Sequence, residues 1–593
     1  MTSRPVRVAN CSGFFGDRVV AAAQLLDAGE PLDVLTGDWL AELTMSILAK
    51  SRSRGRAGFA GTFVTQMEQI LGRCHERGVR IVSNAGGIDP QGCADAVRDI
   101  ADRLGIPITV AVVDGDDLTG RIEELRSGGE AFRHLDTDEP WTGAVDDVVS
   151  ANAYLGGHAI TAGLRAGADV VITGRVADAA VVTGAAAWWH GWGADDFDAL
   201  AGATIAGHAI ECGTQVTGGN LAFFTEIADL TEPGFPVAEI AEDGSSVITK
   251  MSSTGGAVTV DTVTAQLLYE ISGPRYPVPD VVARFDTVHL SQVGPDRVQI
   301  SGARGEAAPT HAKALLTFPG GFRNAMTLAI TGTDRHAKAD LGERAVWAQI
   351  RGGRERFAKS HVEVVGASLD SNAPNDQSYL RISVSDADSA AVGREFSSAV
   401  VATALGSYPG LYLTTPPTPA SEYMVGWPTL VDVSWLQPRV RLGETLLDVP
   451  APSTTQSLTV DRPRAAATTH GLADTQLTGI EVGRYLGARS GDKGGNANLG
   501  LWVRDERHLP LLDYLTDPAR LPQIFPEFNG HEIRVYPLPN LLAVNVVVIG
   551  LLGNGVAASL REDPQAKSLG ERFRAVRAEV PAALLPELIA TEA

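Results

Sequence analysis

Short apolar runs rich in β-branched residues alternate with amphipathic stretches through the first 275 residues, the pattern of a sheet covered by helices. One unit can be read residue by residue. Arg80 to Ser83 predicts a strand, Asn84 to Ile88 a turn, Asp89 an N-cap and Pro90 the first position of a helix that stops at Gly105. Ile106 to Val113 predicts the next strand, so the connection is expected to be a right-handed crossover. Similar transitions fall at Val6–Asn10 before Ser12–Asp17, and at Ala168–Thr173 before Gly174–Asp178. The expected class is α/β, with a Rossmann-like, mostly parallel sheet over residues 1–275.

Beyond Pro274, Pro277 and Pro279 the pattern turns to hairpins with a few helices. Gly294-Pro295 separates Ala283–Leu290 from Arg297–Ser301, and Gly320-Gly321 separates Ala312–Phe318 from Ala325–Thr331, which predicts a second, α+β lobe over 276–449. Residues 450–475, rich in Pro, Ala, Ser and Thr, read as a linker. From 476 to 582, strands near 479–488, 497–503, 532–537 and 541–551 and helices near 509–525 and 567–577 predict a small ferredoxin-like α+β domain.

The 593 residues are 44% hydrophobic and 20% charged, enough for several folded cores. Lys and Arg number 49 against 71 Asp and Glu, and the net charge of −22 opposes binding to nucleic acid or an anionic membrane. A small molecule or another protein is the expected partner. Cys11, Cys74, Cys93 and Cys212 form no CxxC pair, so neither a disulfide framework nor a zinc site is signalled. The first residues lack the apolar run of a secretory signal, and the longest apolar stretch, Leu541–Leu552, is interrupted by Asn545 and Gly550. These features predict a cytoplasmic protein.

Candidate chemistry gathers at the ends of the predicted strands, where open α/β sheets bind ligands. Ser12–Asp17, with Gly13 and Asp17, either presents backbone N–H groups to an anion or is a tight turn; it lacks the GxGxxG and Walker spacings. Asn84, Gly86 and Gly87 either admit a substrate oxygen or form an ordinary turn. Behind Gly174, Arg175 can fork onto a carboxylate or phosphate with Asp178 as its orienter or a base, or the two can be a local ion pair. Asp114, Asp116 and Asp117 read as helix caps before magnesium carriers, and His208 with Cys212, lacking a second cluster, argues little for a metal. Glu211 is the sharper general-base candidate, with Asn220 in the glycine-rich segment behind it. Lys250, before Gly255 and a helix start, suits an anionic ligand or is an exposed lysine beside a flexible loop, and the run Lys50, Arg52, Arg54 and Arg56 suits the phosphates of coenzyme A or is a solvated loop. Ala488–Asn498 is too long and polar for a simple hairpin; Arg489, Asp492, Lys493 and Asn496 there predict a functional loop or a docking surface.

SGFFGDR at the start, DVLTGDWLAELTM at 33–45, NAGGIDP at 84–90, ADVVITGRVADAA at 168–180, GHAIECGTQVTGGN at 207–220, STGGAVTVDTVTAQLLYEI at 253–271 and ARSGDKGGNANLG at 488–500 resemble the acyclic terpene utilisation AtuA family. The likeness covers most of 1–450 and, at 478–580, the ferredoxin-like domain often fused behind it. The resemblance implies a place in the breakdown of branched acyclic terpenoids through acyl-CoA thioesters, beside a biotin carboxylase, an acyl-CoA dehydrogenase and a hydratase. The expected activity is that of a lyase or hydratase on an acyl-CoA or related carboxylate; the alternative is a non-catalytic, stabilising partner of a pathway enzyme. No permanently bound cofactor is expected, coenzyme A entering as the substrate's thioester. A homo-oligomer is expected, with an acyl-CoA carboxylase or hydratase of the same pathway as a partner.

Overall fold

A computed structural model describes residues 4–371, 373–466 and 476–586. The chain forms two compact units. One takes in the residues up to Leu316, Trp427–Leu551 and those from Ala566 on; the other takes in Thr317–Gly426 and Leu552–Gln565.

Five parallel strands form the centre of the first unit, in the spatial order Val6–Asn10, Val34–Gly37, Arg80–Ser83, Val170–Thr173, Val110–Asp114. Successive residues of a strand point to opposite faces, and here both faces are apolar. Val8, Val34, Val82, Val113 and Val171 join one core with Ile160, Val182 and Ile205. Their neighbours Ala9, Leu35, Ile81, Val112 and Ile172 join the other with Met67, Ile70 and Val97. Burial on both sides explains why these strands read as continuous apolar runs. Antiparallel strands widen the sheet: Pro236–Ile240, Ser246–Lys250, Arg297–Ser301 and His289–Gly294 on one side, Arg439–Leu442 and Thr445–Leu447 on the other.

The spelled-out unit forms as its residues dictate. Asp89 accepts from the Gly92 N–H at 3.0 Å, the helix runs Pro90–Leu104, and Gly105 closes it in the left-handed conformation at φ 67°. The following strand starts later than expected, at Val110.

Three readings are corrected. The hairpin around Gly294-Pro295, assigned from sequence to the second lobe, extends the large sheet of the first unit. Gly320-Gly321 is not a turn: His311–Ile330 is one strand of 20 residues, with Gly320 against the Tyr423 ring and Gly321 at φ 97°. Glycine is needed there for close approach and twist rather than for reversal. The Ala488–Asn498 segment is not a long loop either. Leu486–Lys493 pairs with Asn496–Val503 as far as Lys493 opposite Asn496, leaving a two-residue Gly494-Gly495 turn.

That hairpin belongs to an antiparallel sheet with Ala543–Val548 and Ile533–Leu538, all within the first unit. Asp517-Pro518 divides the predicted helix 509–525 into Leu509–Leu515 and Leu521–Ile524, and the last helix spans Leu569–Arg574. Of the expected linker, 467–475 lie outside the described residues. Its earlier part is tied down: Thr455–Gln456 pairs with Ala308–Pro309, and Asp461 accepts from Arg275 Nη1 at 2.6 Å. The second unit packs Arg335–Ala348 and Phe396–Ala402 on its own sheet around Met326, Leu328, Ile382 and Phe396. No helix among the described residues is long and apolar enough to cross a membrane.

Candidate functional site

The carboxyl ends of the parallel strands converge, and side chains just beyond them are tied to one another. After Val34–Gly37, Asp38 accepts from Asn84 Nδ2 at 2.5 Å; Asn84, just after the next strand, accepts from the Trp39 N–H at 2.8 Å. After Val110–Asp114, Asp116 accepts from the Arg175 N–H at 2.9 Å and from Asn152 Nδ2 at 2.8 Å. Arg175 donates to Asp178 Oδ1 at 2.6 Å and to the Leu40 carbonyl at 3.3 Å, with its guanidinium 4.0 Å from the Tyr154 ring centroid. Lys313 also lies over that tyrosine, 5.0 Å from the ring centroid, and is ion-paired to Glu42 at 2.8 Å.

Glu211 arrives from another direction. It caps the helix Phe197–Ile210, and Asn10 fixes that helix end to the first strand by donating to the carbonyls of Ile210 (2.8 Å), Glu211 (2.9 Å) and Ser12 (2.8 Å). His208, one turn back, packs on Tyr276 and Phe285. Gly13 is pressed onto the Cys212 backbone, where an added Cβ would lie 2.5 Å from the carbonyl carbon.

The third wall comes from the C-terminal sheet. A Cβ at Gly491 would overlap the Tyr269 ring and one at Gly500 would overlap Leu268, so these glycines receive the end of the helix Val260–Leu267. The next residue, Glu270, is left-handed at φ 58°, and its N–H donates to Asn498 Oδ1 at 2.8 Å. Asn545 donates to the Ile271 carbonyl at 3.0 Å. Two buried asparagines thus hold the strained turn that carries Glu270. Arg489 and Lys567 both lie over Tyr269, at 4.2 and 4.4 Å; Arg489 also bonds Gln215, and Lys567 the Tyr269 hydroxyl. Lys567 stands 3.8 Å from Glu270 and 4.0 Å from Asp492.

The result is a recess lined by opposed charges. Arg175, His208 and Glu211 are almost fully enclosed, whereas Asp178 and Glu270 keep 30% and 34% of their side-chain surface accessible. Burial, then repulsion from Asp178 and Glu270, pushes Glu211 well above the usual carboxylate range. Burial, then Asp178, does the same to Asp38. Burial raises Glu270 to about 7, against the pull of Lys493, and raises Asp492 to about 8 with help from Glu270 and Glu42. Burial and Lys493 push His208 down to about 4. Burial and Lys313 push Lys493 down; burial brings Lys567 down to about 8. Glu42 goes the other way: burial raises it, but Lys313, Arg175 and Lys493 together outweigh that. Acids that favour their neutral form beside an amine that favours its own can exchange protons with a ligand near neutral pH.

Of the residues singled out from sequence, Arg175, Asp178, Glu211, Asp492 and Lys493 meet in this recess, with Arg489 on its wall and Asn84 behind Asp38. Others are structural. Asp17 braces its own loop by accepting from the N–H groups of Gly13 (2.9 Å) and Arg18 (2.8 Å). Gly86 lies against the Thr173 carbonyl, Gly87 is at φ 54° against Leu48, and Gly174 lies against Asp116. Lys250 donates to the Thr254 carbonyl at 2.7 Å and pairs with Asp296 at 3.2 Å, while Gly255 packs on the Glu232 carbonyl. Asn220 is an exposed left-handed turn residue. Asn496 bridges Asp136 and the Gly550 N–H. Arg52 donates to the Ile88 carbonyl, and Arg54 and Arg56 are exposed. Asp114 and Asp117 separate, one to Arg439 and one to the Thr119 N–H. Among the described residues no group of three or more His, Cys, Asp or Glu is arranged to hold a metal ion.

Sequence reasoning missed Asp38, Glu42, Glu270 and Lys313. Asp38 and Glu42 lie in the DVLTGDWLAELTM segment, and Glu270 in YEI after a helical run, so only the positions of the motifs pointed to them. No curated protein and no solved structure matches the chain. Residues 6–442 match the model of the acyclic terpene utilisation family protein AtuA, and residues 481–579 that of the AtuA ferredoxin-like domain. The first segment holds Asp38, Glu42, Arg175, Asp178, Glu211, Glu270 and Lys313, the second holds Arg489, Asp492, Lys493 and Lys567, and with 6–442 covering most of the sequence, the chain belongs to the acyclic terpene utilisation AtuA family.

Proposed function

We propose that the chain is an enzyme of branched-acid or acyclic terpenoid breakdown that acts on an acyl-CoA or related carboxylate by lyase or hydratase chemistry. Such reactions need a proton donor and acceptor next to a carbonyl, and donors that steady the enolate oxygen. The observation that carries the reading is the pairing of an enclosed, acid-favouring Glu211 with the more accessible Asp178–Arg175 pair in one recess. Asp178 is suited to take a proton, Glu211 to give one, and Arg175 to meet the oxygen on which negative charge develops. Membership in a family of acyclic terpene utilisation supports the pathway; the acyl-CoA substrate and the reaction class are the proposal.

The test is to incubate the purified chain with straight and branched acyl-CoA thioesters and their free acids in heavy water. Deuterium entering beside the carbonyl, or loss of substrate, is the expected result. Neither exchange nor turnover, together with no calorimetric binding of any of them up to millimolar concentration, would overturn it.

A further inference from the structure

We infer that Lys493 is a nucleophilic residue that forms an imine with an aldehyde or ketone carbonyl of the substrate. Three other enclosed lysines are engaged: Lys313 with Glu42, Lys250 with Thr254 and Asp296, and Lys567 with the Tyr269 hydroxyl and Glu270. Lys493 Nζ has neither a hydrogen bond nor an ion pair among the described residues; the Tyr276 ring centroid lies 5.6 Å from it. The residue precedes the Gly494-Gly495 turn and is partly accessible, so a carbonyl carbon entering the recess can reach its amine. This inference rests on the recess being the substrate site, but not on the substrate being a thioester.

A lysine attacks only as the free amine, and enclosure beside a second ammonium favours that form. Lys313 is the second ammonium: Glu42 at 2.8 Å keeps it charged, and its charge together with burial weakens the hold of Lys493 on its proton. Glu270 and Asp178, when ionised, face Lys493 with opposite sign and moderate the effect without pairing to it, and Glu211 does so only in its disfavoured ionised form. The step balances within the recess. The Nζ lone pair forms a C–N bond while the carbonyl oxygen takes a proton, giving a carbinolamine. One of the two nitrogen protons passes to the hydroxyl by way of Glu270, the C–O bond breaks, water leaves, and the nitrogen keeps its other proton as a protonated imine. Glu211, which favours its acid form, can supply the proton, and Glu270, at about 7, can accept one. The imine draws electrons from the neighbouring carbon, which permits cleavage of a carbon–carbon or carbon–hydrogen bond there.

The experiment treats the full chain with levulinate or acetone and then with borohydride, and maps the modified peptides by mass spectrometry. Reduction would lock the imine as a secondary amine, so the peptide containing Lys493 should gain the mass of the ketone less one oxygen atom. That gain should exceed the labelling of any other lysine at least tenfold. Lys493→Arg should lose it, and Lys313→Ala should reduce it. Mapping of the unmodified protein decides the matter even if a variant fails to fold. No adduct, or one spread evenly over surface lysines or centred on Lys567, would overturn the inference. Turnover of an acyl-CoA without an adduct would remove the imine and leave the acid–base reading; an adduct without acyl-CoA turnover or binding would remove the thioester and leave the imine.

Discussion

Nδ1 of His208 lies 2.9 Å from Oε1 of Glu211, yet the two are not hydrogen-bonded. The proximity is not an ion pair, because enclosure pushes the imidazole down to about 4 and the carboxyl well up, so both favour their neutral forms at neutral pH. The second oxygen of Glu211 is also unpartnered, which leaves the acid unclaimed by the protein around it.

Glu211→Gln keeps shape and neutrality but removes the transferable proton. Its unfolding free energy should stay within about 1 kcal/mol of the parent, while exchange or turnover on the responsive acyl substrate should fall by about 10²–10⁴-fold. Denaturant titration beside the heavy-water assay checks both; lost stability with intact turnover would make Glu211 merely structural.

Stability should depend on pH through Glu270 and Asp492. Their ordinary values of 4.5 and 3.8 rise to about 7 and about 8 in the folded chain, so the unfolded chain releases these protons first. The stabilisation is complete below about pH 4 and disappears as pH rises through 7 and 8. The urea midpoint should therefore fall between pH 5 and pH 8.5, and Glu270→Gln with Asp492→Asn should flatten that fall. Partial exposure of both groups keeps the slope modest. An unchanged slope in the double variant would refute the assignment.

Gly491→Ala drives a Cβ into the Tyr269 ring, on which Arg489 and Lys567 rest. Overpacking of this kind costs about 1–3 kcal/mol. The tyrosine cannot yield without moving both cations, so labelling of Lys493 or turnover should drop more than the melting temperature alone predicts. Parallel thermal and activity measurements on Gly491→Ala and on Gly120→Ala, whose Cβ would meet nothing within 4 Å, separate the two effects.

Asn10→Asp replaces the amide that serves the carbonyls of Ser12, Ile210 and Glu211 with an acceptor. Stranding buried carbonyls beside a carboxylate should cost on the order of 3 kcal/mol. Equilibrium unfolding at pH 7 measures it, and a loss under 1 kcal/mol would show that the helix end is held otherwise.

Elements with their own local signals were legible. Asp89, Pro90 and Gly105 bound a helix through backbone chemistry that needs no partner, and the parallel strands betray themselves by apolar residues on both faces. The glycines were harder to interpret. Gly320, Gly321 and Gly491 look like turn residues, but each makes room for a ring or backbone from a distant segment. The site was legible where residues follow strands, as Arg175 and Asp178 do. Glu270 depends on Asn498 and Asn545, more than two hundred residues away, and Lys313 on Glu42, so their roles exist only after the chain has folded back on itself.

The asparagine pair under Glu270 has a bearing on how the chain is made. Asp38, Asp178, Glu211 and Glu270 all precede Lys493 and Arg489 by more than two hundred residues, and emerge from synthesis well before the basic side chains that face them. Until the hairpin Leu486–Val503 arrives, Asp178 has only Arg175 to answer its charge, Glu270 lacks Lys493 and Arg489, and its left-handed turn lacks the Asn498 acceptor. Closure across so long a separation is slow. The C-terminal sheet therefore acts as the keystone of an arch: a chain cut short before residue 486 would keep most of the acidic wall and the whole parallel sheet, but no working recess.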